Sequence, residues 1–254
     1  DNVSFRIGTE LVARLPRREL AASLIANEAR WLPDLAGHLP LPVPVPMFVG
    51  DPSVDYPWHW LIAPLLPGEP ASTARHIDYA VCARQLGEFF VALHHPAPDD
   101  APMNPFRGGP LSDRDTNTRE RLEELKEMVD FDRLIDLWGS AVEAPEHPAR
   151  SVWLHGDPHP GNLLVSAGRL SGVIDFGDIT AGDPATDLAL VWSFLPPTHR
   201  DAFWESYGDS DPYLRERARG WALSLGAVLL ARSADNPTMR AIGERTLGAV
   251  LDET

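Results

Sequence analysis

The chain has 254 residues, 44% of them hydrophobic and 23% charged, enough for a real core in one large domain or two packed lobes. Its net charge of −15 excludes nucleic acid as a main partner, because phosphate binding needs a basic face. No apolar run approaches the roughly 18 residues of a membrane span, so no membrane partner is expected.

Asp1-Asn2-Val3 shows no basic or apolar export leader. The one cysteine, Cys82, lies in a helix-like stretch with no histidine at metal-ligand spacing, so a buried, inert thiol and a cytoplasmic location are expected.

In chain order, residues 2–7 and 11–15 are β-prone runs around Gly8-Thr9-Glu10 and read as a hairpin. Residues 45–49 and 58–63 read as further strands of a small antiparallel sheet. Between them, residues 18–32 read as a helix, with Leu20, Leu24, Ile25, Trp31 and Leu32 at helical spacing. Glu28 falls four after Leu24 and three after Ile25, on the apolar stripe, where a carboxylate needs a partner. Pro33 and the alternating prolines from Leu39 to Pro46 are expected to stop the helix and form a stiff, extended connector.

After Pro67-Gly68 the pattern turns helical. Residues 74–94 read as one long helix, and Leu122, Leu125, Met128 and Val129 mark another. Residues 163–165 and 170–174 read as two short strands around Gly168. Asp183-Pro184, Asp211-Pro212 and Asn236-Pro237 each place a capping residue before a proline suited to a first helical turn. Trp192, Trp204 and Trp221 fall in helical segments and are expected in the core. The organisation is a β-rich lobe over residues 1–66, a hinge near residues 63–67, and a helical lobe over residues 67–254. The first segment has a net charge of −2 and the second −13. Such a field attracts a cationic substrate or serves solubility alone, and both readings stand.

The chemistry concentrates in His155-Gly156-Asp157-Pro158-His159-Pro160-Gly161-Asn162, followed by Leu163-Leu164-Val165 and then Val173-Ile174-Asp175-Phe176-Gly177-Asp178. Two prolines and a glycine hold the first stretch open as a loop, which removes the helix that a zinc pair of His155 and His159 would need. His155 is expected to fix the loop by hydrogen bonds. Asp157, Asn162 and Asp175 bring three oxygen-bearing side chains to the ends of one hairpin, and hard oxygen ligands suit Mg²⁺.

This spacing resembles that of protein kinases, where a catalytic-loop aspartate precedes an asparagine by five positions and a second aspartate opens an Asp-Phe-Gly turn. His-Gly-Asp in place of His-Arg-Asp, together with Gly182-Asp183-Pro184-Ala185-Thr186-Asp187-Leu188-Ala189, resembles the aminoglycoside phosphotransferase family. The resemblance covers nearly the whole chain, with its specific motifs in residues 154–189.

The resemblance implies an α+β, two-lobed protein-kinase-like fold, with a small β-rich N-lobe and a mostly helical C-lobe. It implies ATP or GTP as co-substrate and a small hydroxylated acceptor, an aminoglycoside or another antibiotic such as a macrolide. The alternatives are a metabolite kinase for homoserine, choline or a thiosugar, and a nucleotide-binding regulator without turnover. Asp157 would orient the acceptor hydroxyl and receive its proton, and Asn162 and Asp175 would hold Mg²⁺. Asp183 and Asp187 would brace the catalytic loop. Asp178 stays open between contact with the ion or substrate and a turn-ending role.

Two departures stand out. The chain's single lysine, Lys126, lies in a polar helix, and Arg14 occupies the strand position of the kinase lysine. Arg14 is therefore assigned to the nucleotide phosphates and Glu28 to bracing it, since arginine can grip a carboxylate with two nitrogens. No glycine precedes Gly8, so the phosphate-covering glycine turn is missing, and the chain is expected to begin after it. The base is expected at the hinge, on the backbone of Ala63 and Leu65, with Leu65 the donor because Pro64 has no N–H. Asp201, Glu205, Asp209 and Asp211 could meet amino groups of an acceptor or form a solvated face. Nothing in the sequence marks an oligomeric state.

Overall fold

The computed structural model describes residues 2–148, 151–208 and 211–252. It opens with the expected hairpin, β1 (Asn2–Ile7) and β2 (Leu11–Pro16), followed by α1 (Glu19–Ala36), β3 (Phe48–Gly50) and β4 (Trp60–Pro64). The four strands form one antiparallel sheet in the order β1-β2-β4-β3. The third strand is shorter and later than residues 45–49, because the prolines of the connector deny ladder hydrogen bonds as far as Pro46.

Helix α1 continues through Pro33 to Ala36 and does not stop there. Pro33 lies within the final turn, where only one intrahelical bond is lost. The buried stripe is Ala21, Ile25, Glu28, Leu32 and Leu35, rotated from the expected one, so that Leu20 is 57% exposed. Glu28 keeps its place on that stripe and is fully buried.

The second lobe begins with β5 (Glu69–Pro70) and α2 (Tyr79–Leu93), then α3 (Asp115–Leu125), α4 (Phe131–Glu143) and β6 (Val152–Leu154). Next come β7 (Leu163–Ser166), β8 (Arg169–Val173), β9 (Thr180–Gly182), α5 (Ala185–Leu188) and α6 (Leu190–Phe194). Helices α7 (Pro197–Tyr207), α8 (Leu214–Arg232) and α9 (Pro237–Leu251) complete it. Helix α2 starts five residues later than the 74–94 pattern, at an Asp78 cap whose carboxylate accepts from Val81 N–H. Of the three predicted caps, Asn236 caps its helix, accepting from Met239 N–H with Pro237 in the first turn. Asp183 and Asp211 lie before the actual N-caps, Pro184 and Tyr213, and accept from Ala185 and Tyr213 N–H as turn residues instead. Cys82 is fully buried, and burial pushes its thiol up to about 11. Trp192, Trp204 and Trp221 are core residues.

The two lobes have separate cores. Ile25, Leu61 and Ala63 fill the small one, with Val12 against them, whereas the helices share one large cluster. Packing does not follow the chain division cleanly, because Leu32, Leu35, Leu41 and Val43 join the large core. Among the described residues, no helix is long and apolar enough to cross a membrane.

Candidate active site

The site is built on the β7–β8 hairpin. Leu163 pairs with Val173, and Ile174 N–H donates to the Asn162 carbonyl at 2.9 Å, so Asn162 and Asp175 emerge side by side at the same end. Ala167 and Gly168, both at positive φ, close the other end. Asp175 itself has φ 66 and ψ 65, a left-handed conformation that aspartate tolerates better than most residues. The turn this makes exposes its carboxylate in the cleft while Phe176 packs inward, its ring 4.5 Å from that of His155.

The loop carrying Asp157 is held from beneath. Asp187, fully buried, accepts from His155 N–H at 2.7 Å and Gly156 N–H at 2.9 Å, and lies 3.2 Å from His94 Nε2. His155 accepts from Asp157 N–H through Nδ1, and its Nε2 reaches the Ile174 carbonyl at 3.0 Å. Asn162 Nδ2 donates to the Asp157 carbonyl at 3.0 Å, which leaves the amide oxygen as the group it can offer. Asp187 therefore touches the loop directly. Asp183 does not; it pairs with Arg217 at 2.6 Å and accepts from Ala185 N–H just ahead of α5.

Gly156 explains why the motif reads His-Gly-Asp. Its φ is +87, and a Cβ there would overlap the Asp178 carbonyl oxygen. An arginine at this position cannot fit this loop.

Arg14 and Glu28 meet as the sequence reading paired them, but not as a two-nitrogen fork. Nη1 alone donates to both Glu28 oxygens, at 2.6 and 2.7 Å, and Nη2 crosses the cleft to Asp175 Oδ1 at 2.6 Å. Burial pushes Glu28 up to about 7, against the opposing pull of Arg14. Burial also acts to lower Arg14, but its two carboxylate partners more than offset this and hold the guanidinium above its ordinary value.

One residue escaped the sequence reading. Arg107 donates through Nε to the Gly156 carbonyl at 2.7 Å and through Nη2 to Asp157 Oδ1 at 3.0 Å. It sits in a Pro-Phe-Arg-Gly-Gly-Pro loop with no periodic pattern, fifty residues before its partner. That loop is pinned through Gly108, whose N–H donates to Thr186 Oγ1 and whose carbonyl accepts from Asp183 N–H. Burial pushes the Asp157 carboxyl up, but Arg107, His159 and His155 outweigh it, so the net direction is down and the carboxylate form is favoured. Burial lowers His159 despite the neighbouring Asp157. Asp178 accepts from Asn104 Nδ2 at 2.7 Å, while burial and the Asp157 charge push it up.

A cavity of about 540 Å³ lies between the lobes, lined by Arg14, Ala63, Leu65, Leu66, Asp157 and Asp175 among others. The expectation for Leu65 needs correction. Its N–H donates to the Glu10 carbonyl at 2.7 Å, because the β2–β4 ladder runs one residue past Pro64. A second cavity of about 210 Å³, between the Asp157 loop and α6, α8 and α9, also has Asp157 in its wall. Asp201 and Glu205 lie on α7, away from this wall, and Asp211 pairs with Arg217 at 2.6 Å. Asp209 lies outside the described residues.

The donor set suits only a cation that takes most of its shell from phosphate oxygens and water, as Mg²⁺ does. Asp157, Asp175 and Asp178 line the interlobe cavity against one guanidinium, Arg14, an excess of two negative charges among the described lining residues. Asn162 and Asp175 supply hard oxygens from the two strands at the same end of the hairpin. Among the described residues, no group of three or more His, Cys, Asp or Glu is placed to hold a metal.

A family profile described as phosphotransferase enzyme family matches residues 1–221. An aminoglycoside 3'-phosphotransferase of Escherichia coli is 24% identical over 201 residues, covering 75% of this chain and 72% of that protein. The GDP and kanamycin complex of an aminoglycoside 2''-phosphotransferase superposes with a TM-score of 0.71 at 18% identity, covering 100% of this chain and 90% of the other. The apoenzyme of a macrolide 2'-phosphotransferase from Brachybacterium faecium gives 0.62 at 24% identity, with 97% and 91% covered. At these identities the structural likeness carries the fold, which is two-lobed and kinase-like.

Proposed function

We propose that this chain, which belongs to the phosphotransferase enzyme family, transfers the terminal phosphoryl group of ATP or GTP to a hydroxyl of a small antibiotic-like molecule. The observation that carries this reading is that Asp157 forms part of the wall of two cavities at once. The interlobe cavity holds the groups suited to a triphosphate, and the second has room for an acceptor. A hydroxyl entering the second cavity would meet the same carboxylate that borders the interlobe cavity.

In the reaction, a bond forms between the acceptor oxygen and the terminal phosphorus as the bond to the bridging oxygen breaks. The nucleoside diphosphate leaves, and the hydroxyl proton passes to Asp157 and then to water. Such transfer depends mainly on positioning and charge neutralisation. Arg14 would contact the phosphates with Glu28 behind it. Asn162 and Asp175 would hold Mg²⁺, which when bound neutralises phosphate charge. The base would lie against Ala63 and take its backbone donor from Leu66, which lines the cavity and whose N–H meets no protein acceptor among the described residues. The expected location is cytoplasmic.

The test is Asp157→Ala in the full chain. Turnover of a responsive acceptor should fall by about 10²–10⁴-fold, the usual worth of a positioned base, while nucleotide affinity stays within a few-fold. Undiminished turnover would overturn the role of Asp157. Chelation of divalent ions should abolish turnover and be reversed by added Mg²⁺.

A further inference from the structure

The second cavity has a chemistry of its own. Its wall facing the Asp157 loop is formed by Leu225, Val228 and Leu229 of α8 and Met239 of α9. From Arg217 to the end of α8 at Arg232 there is no aspartate or glutamate. Among the described residues lining the cavity, the ionisable ones are Arg107, Asp157 and His159. Asp157 already accepts from Arg107 at 3.0 Å.

An ammonium group entering here would be desolvated against aliphatic side chains and would meet a guanidinium, and the one carboxylate in the wall, Asp157, already carries that guanidinium on one oxygen. A buried charge without a partner is strongly unfavourable, and each further amino group repeats the cost. The acidity of the chain lies elsewhere. Asp201 and Glu216 line a different cavity together with Arg200, Arg215 and Arg219, and Asp211 is tied to Arg217. The net charge of −15 is therefore no guide to the acceptor.

Granted phosphotransfer at Asp157, on which this rests, we infer that the acceptor is a hydroxylated molecule whose reacting end is largely apolar and carries at most one amino group. Such a molecule is macrolide-like and not a polyamino sugar. The cavity's 210 Å³ is below the roughly 300 Å³ at which whole-ligand pockets begin, so it takes one ring of the acceptor and leaves the rest outside. Ser193 and Thr246, also in the wall, donate to the Leu190 and Ile242 carbonyls, so they offer that ring hydroxyl oxygens as acceptors only.

The experiment uses the full chain loaded with Mg²⁺ and a non-hydrolysable nucleotide, titrated calorimetrically with erythromycin and with kanamycin. Erythromycin is expected to bind at least about tenfold more tightly, a difference of about 1.4 kcal/mol. Leu229→Glu, checked for folding by circular dichroism, should weaken erythromycin and strengthen kanamycin. With ATP or GTP, erythromycin should gain the mass of one phosphoryl group. Equal or tighter kanamycin binding by the unmutated chain, or binding of neither compound, overturns the inference whether or not the variant folds. Nucleotide binding, measured first in the same cell, separates the two readings: its loss sinks phosphotransfer itself, and its presence leaves that reading standing whatever the acceptors do.

Discussion

The guanidinium of Arg107 holds Asp157 by two routes, donating to its carboxylate at 3.0 Å and to the carbonyl of the preceding residue, Gly156, at 2.7 Å. It fixes both the position of the carboxylate and its charge. Arg107→Gln should lower kcat by about 10–100-fold, the scale of an ångström-size misplacement of a reacting group, with little change in nucleotide KM. Asp157 is held below its ordinary value only because its neighbouring cationic and imidazole groups outweigh burial. Without Arg107 that balance shifts toward burial, the carboxyl keeps its proton to higher pH than in the wild type, and the acid limb of the kcat profile moves up. An acid limb that stays in place while kcat falls would leave Arg107 with a purely steric part.

Glu28 gives a second pH signature. Burial raises it from 4.5 to about 7, so acidification below neutrality protonates it and loosens its hold on Arg14. Nucleotide KM should rise as pH falls from 8 to 6, and Glu28→Gln should flatten that dependence. Stability moves oppositely. A raised folded-state value contributes stability that is complete below 4.5 and lost as pH rises through about 7. Urea midpoints of the wild type relative to Glu28→Gln should therefore decline between pH 5 and pH 8.

Asp187 uses both oxygens on successive backbone N–H groups of the catalytic loop. Asn keeps the shape but offers one acceptor, so one buried N–H loses its partner at a cost of about 1–3 kcal/mol. Asp187→Asn should lower the thermal midpoint and reduce kcat together. A variant with full stability but low kcat would point to a direct chemical role that the distances do not support.

Gly156→Ala tests the shape of the loop alone. The left-handed φ costs an alanine about 1–2 kcal/mol, and its Cβ would also strike the Asp178 carbonyl. The expected result is lost activity with the loop amides more exposed to hydrogen exchange. Wild-type activity in this variant would show that the loop relaxes more readily than its packing implies.

Much of the site is legible in the sequence because its parts are local. Asp157, Asn162 and Asp175 lie at the ends of one hairpin, and hairpin register follows from a short turn and two β-prone runs. Glu28 is legible because a carboxylate on an apolar stripe demands a partner. Arg107 is not, since it reaches Asp157 through a loop whose course is set by glycine contacts and not by any periodicity. The end of α1 is missed for a related reason, as a proline in a final turn forfeits too little to stop a helix. The Leu65 amide is missed because ladder hydrogen bonds extend beyond the residues that look like strand. Charge misleads most: the total is read from composition, but its placement depends on which helix faces turn inward.

The interlobe cavity is walled by the sheet, the hinge and the β7–β8 hairpin, and the second cavity by α6, α8 and α9, with Asp157 common to both. Neither compartment needs the other filled in order to have its walls. Donor and acceptor can accordingly arrive in either sequence, and the two affinities can drift apart under selection while the single carboxylate at their junction stays where it is.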